Sequence, residues 1–470
     1  MFLSPRYRKL LSSRAVVSRI AAALLLAATV LHAHAGEQEQ IDFANGLFAR
    51  GLFGEAAAEY QNYLTEFPEG PSQQSALYRL GESRVASADY DAAVRALDAL
   101  LAEAPGDDLR DRAGLRRGVA LFQSGKTDSA AEALAGVVQT AKTPGVRPEA
   151  QYYLGKVHFA ANRHEAAVEA LKALTGAEDA GAFGPYGHYQ LGSVYLAMNR
   201  HEDAAVEFAA VANTTDADAA MRTECRFRSA EIYDKLGWFD VAAKTYEQLR
   251  AEFPDSEYAQ RAAYGLTWSL YHSGQYDKAL EASAEFEKKY PDSEHRPGLL
   301  YLRGNCLYQQ KKFTEAAKLY EELTGAFPQS PFVARAGLKR AWALYELNDR
   351  EQAATALRGL LETATDPEIV GQGSFLFGNV LLNGGDAAGA FDRSVKAFMG
   401  LPEARRGKLV DGREAAAHAR FMQGAGLYNP ADGTNTSAGT MTRKRMNHTA
   451  TVLPDGKVLL VGGITHNRTA

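Results

Sequence analysis

The tripeptide Gly125-Lys126-Thr127 has the ending of a phosphate-binding loop, in which backbone amides cradle phosphate and the lysine reaches its outer oxygens. That loop also needs a glycine five residues before Gly125, and the residue there is Ala120. The tripeptide falls in a predicted turn between two helices, with no strand before it. Metal chemistry fares no better. His164 and His201 each sit in the sequence Asn-Arg-His-Glu, which reads as a repeated surface turn, and none of the eleven histidines has the His-Glu-x-x-His spacing of a zinc site. Carboxylate pairs such as Glu321-Glu322 and Asp107-Asp108 read as solvated faces. The expectation is a protein that is not an enzyme, with no cofactor, no metal and no catalytic residues.

The remaining residues of chemical interest are aromatic, and their spacing follows from the elements that carry them. Displaced on itself by 37 residues, the sequence aligns ten repeats, beginning at Glu37, Gln74, Asp111, Pro148, Pro185, Thr223, Gln260, Pro297, Ala334 and Gly371. One step, from the fifth to the sixth, is 38. Position eight of the repeat is small, as in Gly81, Gly118, Gly155, Gly192 and Gly304, with Thr267 the exception. Position twenty is alanine throughout, from Ala56 to Ala390. Position twenty-four is bulky, as in Tyr60, Leu97, Leu134, Leu171, Phe208 and Tyr320. Small residues let two antiparallel helices approach, and the bulky one fills the space beside them. Gly51, Gly125, Asn162, Asn199, Gly237, Gly274, Asn348 and Gly385 fall between the helices, where a left-handed backbone position is needed. Phe67-Pro68, Phe253-Pro254, Tyr290-Pro291 and Phe327-Pro328 close the repeats.

This pattern resembles the tetratricopeptide repeat (TPR) family, which places small, aromatic, alanine, aromatic and proline residues at these same positions. Phe239-Asp240-Val241-Ala242-Ala243 and Tyr276-Asp277-Lys278-Ala279-Leu280 are among the clearest copies. Repeats three to five lack the terminal proline, and Ser283 and Ser394 replace the bulky residue at position twenty-four. The period and the Phe-Pro-Asp-Ser and Phe-Pro-Gln-Ser endings are most similar to bacterial envelope repeat proteins, of the outer-membrane assembly lipoprotein and Tol-Pal coordinator types. The resemblance implies an all-α fold, a right-handed α-solenoid of helix-turn-helix repeats, here followed by a short C-terminal β-hairpin segment.

In that family the first helix of each repeat lines the binding surface at positions two, five, nine, twelve and thirteen. On this chain those positions carry Tyr264, Trp268, Tyr271, Tyr301, Tyr308, Trp342 and Tyr345 in repeats seven to nine, the expected partner-binding set. Earlier repeats add Phe48, Tyr78, Phe122, Tyr152, Phe159, Tyr189 and Phe227. Positions five and twelve are seven residues apart and share a helix face. With Glu231, Asn305, Asn379, Arg261 and Arg335 as polar neighbours, such a lining suits an extended peptide or a partner's helix. Packing between repeats explains any one of these aromatics equally well. Recognition of a C-terminal carboxylate would require Lys or Arg at position five and Asn at nine, and position five is mostly aromatic.

The ends of the chain differ from its middle. Arg6, Arg8, Lys9, Arg14 and Arg19, with no acid among the first 35 residues, precede the apolar run Ile20 to Leu31 and an Ala-x-Ala sequence. This reads as a signal peptide, residues 1–35, cleaved after Ala35 and directing the chain to the periplasm. The whole chain carries -5, so the rest carries about -10, which argues against a nucleic-acid partner. Residues 36–407 hold the ten repeats, 408–424 a capping helix, and 425–470 two β-runs around Asp455-Gly456. This last segment resembles a single, incomplete Kelch-like blade, with Asn435 where tryptophan is usual; one blade cannot close a propeller. Cys225 and Cys306, the only cysteines, lie in repeats six and eight and are expected to stay unbridged. The expected function is a periplasmic scaffold for protein or peptide partners in envelope assembly or division, reaching the membrane only through them. The alternative is a scaffold for polysaccharide export or peptidoglycan handling that binds glycan.

Overall fold

The structure is a computed structural model that describes residues 36–383, with side chains through residue 381, and the backbone of four short strands beyond them. The expected signal peptide, the expected second helix of repeat ten with Ala390 and Ser394, the expected capping helix 408–424 and most of residues 425–470 lie outside the described residues.

Nineteen helices fill residues 37–383. The first helices of the repeats are α1 (Glu37–Ala49), α3 (Gln73–Ala86), α5 (Asp107–Gln123), α7 (Val146–Ala160), α9 (Phe183–Ala197), α11 (Ala219–Lys235), α13 (Ala259–His272), α15 (Arg296–Gln309), α17 (Val333–Glu346) and α19 (Pro367–Asn383). Their partners are α2 (Phe53–Glu66), α4 (Tyr90–Ala102), α6 (Thr127–Thr140), α8 (His164–Thr175), α10 (His201–Asn213), α12 (Phe239–Glu252), α14 (Tyr276–Lys289), α16 (Phe313–Ala326) and α18 (Arg350–Thr363). The chain divides into two blocks, through Ile232 and from Tyr233. Within each block consecutive helices pack side by side, and a first helix also touches the first helix of the next repeat, as α3 does α5 and α13 does α15. This is the stacked helix-pair arrangement of a TPR solenoid.

The turns form where the sequence calls for them. Gly51, Gly125, Asn162, Asn199, Gly237, Gly274 and Asn348 all have positive φ, between 56° and 79°. Ala88 and Lys311 take the same backbone conformation at the equivalent position, φ 61° and 60°, without a glycine's freedom.

Helix approach follows the small and large positions. The nine alanines at position twenty within the described residues are completely buried. A Cβ added to Gly81, Gly118 or Gly155 would lie within 2.6 Å of the Leu97, Leu134 or Leu171 side chain, and one on Gly304 would lie 2.5 Å from the Tyr320 ring. Repeat seven exchanges the two sizes. Thr267 occupies the small position and Ser283 the large one, both fully buried, and the Thr267 hydroxyl donates to the Tyr264 carbonyl at 2.7 Å. The departures at Thr267 and Ser283 are therefore complementary.

Polar links join repeats that follow one another. Lys126 pairs with Asp91 at 2.7 Å and Arg163 with Asp128 at 3.0 Å, while the Gln275 amide donates to Asp240 at 2.9 Å. Farther along, β1 (Leu427–Asn429), β2 (Thr434–Thr436), β3 (Thr449–Val452) and β4 (Val458–Val461) pair antiparallel in the order β2-β1-β4-β3.

Candidate partner-binding surface

The seven aromatics expected to bind a partner are carried by α13, α15 and α17, and every one of them is half-buried. Their contacts divide them by repeat position. At position five, Tyr264 stacks on His295, the residue just before α15, with ring centroids 4.4 Å apart and planes 16° from parallel. Tyr301 stacks in the same way on Phe332, just before α17, at 5.4 Å. These two rings thus brace the start of the next repeat. At position twelve, Tyr271 packs on Tyr276 at 5.8 Å and Tyr308 on Phe313 at 5.2 Å, across the turn to the second helix. Trp268 joins both roles on α13, set edge-on to Tyr264 and Tyr271 and stacked on His272 at 5.8 Å. On α17, Trp342 and Tyr345 meet edge to face at 6.0 Å.

Three of the seven gather around one buried phenol. Tyr320 on α16 is fully buried, and its hydroxyl donates to the Asn305 side-chain oxygen at 2.7 Å. Burial pushes its pKa far up, and the nearby Tyr301, Tyr271 and Tyr308 push it further. Burial likewise raises Tyr264, Tyr271, Tyr301 and Tyr308, so all four stay neutral phenols at physiological pH. Asn305, expected as a polar neighbour on the surface, is instead 95% withdrawn from solvent beneath them, at 5% exposure. Its pairing with Tyr320 repeats that of Asn45 with Tyr60, also 2.7 Å, so in repeats one and eight asparagine at position nine accompanies tyrosine at twenty-four. Lys339 of α17 lies over the Tyr308 ring at 5.4 Å and connects that helix to α15.

In the first block the structure assembles a cluster of which sequence reasoning named one member. Tyr152 lies 5.3 Å from Tyr153, 5.7 Å from Phe183 and 6.1 Å from Tyr186, and Lys156 sits over the first two rings. The adjacent tyrosines and the Phe183-Gly184-Pro185-Tyr186 sequence were the available signal. Elsewhere on these helices charge is matched internally, as Arg116 with Glu149 at 2.8 Å and Arg228 with Glu224 at 2.7 Å.

Residues 47–232 match the tetratricopeptide repeat-like domain, and residues 227–294, 268–331 and 335–364 match further tetratricopeptide repeats. The chain belongs to the tetratricopeptide repeat family. Among solved structures it is similar to a TPR protein from Parabacteroides merdae, at 16% identity over 57% of this chain and 98% of that one, TM-score 0.33. It is similar to the C-terminal part of a TPR protein from Cytophaga hutchinsonii, at 16% identity over 53% and 99%, TM-score 0.40. It also matches MamA from Desulfovibrio magneticus, at 15% identity over 38% and 93%, TM-score 0.32. No curated protein matches it significantly.

TPR domains are typically non-catalytic and generally bind protein partners. In this TPR protein the Lys126 ammonium, the group that a phosphate loop would need, is held by Asp91, and the Thr127 hydroxyl donates to the Gly125 carbonyl at 3.3 Å. No group of three metal-binding side chains occurs among the described residues, and no helix there is long and apolar enough to cross a membrane. Cys225 and Cys306 are free and buried, and burial pushes both thiols up to about 12.

Proposed function

We propose that this TPR protein is a scaffold that holds a protein partner against the first helices of repeats seven to nine. The observation that carries this reading is the half-buried state of Trp268, Tyr271, Tyr308, Trp342 and Tyr345. Rings in that state offer large rigid areas that gain when a partner removes the remaining water. The Trp268→Ala, Trp342→Ala double variant should lose capture of the partner by pull-down, with its helical circular dichroism unchanged. Capture undiminished would refute the surface, loss of helicity would make both tryptophans core residues, and capture of glycan alone would favour the polysaccharide role.

The basic leader and its apolar run support a periplasmic site of action, and the likeness of the repeat endings to envelope proteins supports a part in envelope assembly or division.

A further inference from the structure

In an acidic chain, a cation left without a carboxylate on a half-buried surface is informative. In the second block three arginines of the helix faces have carboxylate partners: Arg303 pairs with Glu287 at 2.7 Å, Arg340 with Glu321 at 2.6 Å and Arg250 with Glu285 at 3.2 Å, while Arg296 lies over the Phe327 ring at 5.6 Å. Lys339 and Arg335, one turn apart on α17, make no ion pair and no side-chain hydrogen bond among the described residues. Lys339 is half-buried, and its one polar contact is the face of Tyr308. Arg335 is exposed and close enough to Tyr301 for its charge to act on that phenol. Trp342 follows Lys339 by three residues, on the same side of the helix. Glu346, whose charge acts on Tyr308, pairs with neither cation.

The energetics favour an anionic occupant. Withdrawing an ammonium from water without a counter-charge costs hydration that a ring face returns only in part. A carboxylate arriving there meets two cations at reduced dielectric, where their attraction is stronger than in bulk water. Burial already lowers the Lys339 pKa, the expected mark of a cation short of solvation.

We propose that Arg335 and Lys339 receive aspartate or glutamate side chains of an acidic segment in the protein partner, whose apolar residues lie on Tyr301, Tyr308 and Trp342. This rests on the scaffold reading above and specifies the chemistry of its partner. The occupant binds through side-chain carboxylates along its length, because uncharged residues, Tyr264, Tyr301 and Leu338, fill position five of these repeats, where capture of a chain terminus would need a cation.

The test is an array of twelve-residue peptides of varied sequence, all with amidated C-termini, probed with the full chain. Bound peptides should be enriched in Asp and Glu next to apolar residues. An enriched peptide should bind the Arg335→Gln, Lys339→Gln variant about tenfold more weakly, and its binding to the unaltered chain should weaken as salt rises. Arg303→Gln, which removes a cation already paired with Glu287, should leave binding unchanged. Bound peptides without acidic enrichment, or an unaltered affinity in the double variant, would overturn this inference while leaving peptide binding intact. An array that captures nothing would overturn the scaffold reading as well.

Discussion

Lys311 and Asp111 show how single residues are held by, or resist, the repeat. Lys311 adopts φ 60° in the turn between α15 and α16, where most other repeats use glycine or asparagine. A side chain in the left-handed region costs about 1 kcal/mol, and Lys311 is exposed, so Lys311→Gly should stabilise the protein by roughly that amount in denaturant titration. Asp111 is buried and accepts hydrogen bonds from the Lys142 and Thr143 amides and the Thr143 hydroxyl, at 2.7, 3.0 and 3.0 Å. Burial by itself would raise its pKa, but these bonds and Arg110 outweigh it and hold the carboxyl below its usual value. A depressed folded pKa contributes stability that is complete above the unfolded value, about 3.9, and is lost as pH falls through the folded one. Asp111→Asn should therefore cost about 2 kcal/mol at pH 7, with the difference from the unaltered protein narrowing below about pH 4. None of this was legible at Asp111 in the sequence, because its partners lie 31 and 32 residues away.

At the scale of the helix pair, much was legible. The small residue at position eight, the alanine at twenty and the bulky residue at twenty-four describe one interface, and the structure packs them against each other. Gly155→Ala tests it directly: a methyl there would meet the Leu171 side chain at 2.5 Å, and Leu171 is fully buried. The expected loss is about 2 kcal/mol, read as a lower thermal midpoint with helical content retained. Thr267 and Ser283 looked like two lapses in the pattern and proved to be one exchange of volume between facing helices. A sequence read one position at a time does not reveal that compensation. The aromatics were legible as a set but not in their roles. Tyr264 and Tyr301 brace the next repeat, Tyr271 and Tyr308 close their own turns, and the cluster around Tyr152 emerged only when α7 and α9 were brought together.

For the whole molecule, stability accumulates from neighbour contacts along each stack. The two cysteines are buried and free. The acidic charge of the repeats is set against a basic N-terminal segment, and that contrast yields a prediction for the entire chain. Expressed in a Gram-negative host, the protein should appear in the periplasmic fraction with Gly36 as its first residue; an intact leader in the cytoplasmic fraction would refute export. By itself the sequence determined the repeat period, the helix-pair architecture and the left-handed turns, because each depends on residues close together in the chain and is restated about every 37 positions. Only the tertiary structure decided which aromatic rings brace a neighbouring repeat, that Asn305 is buried under Tyr320, and that Lys339 and Arg335 have no carboxylate partner among the described residues. Those outcomes depend on the distances and burial of side chains from different helices, which a periodic pattern does not encode.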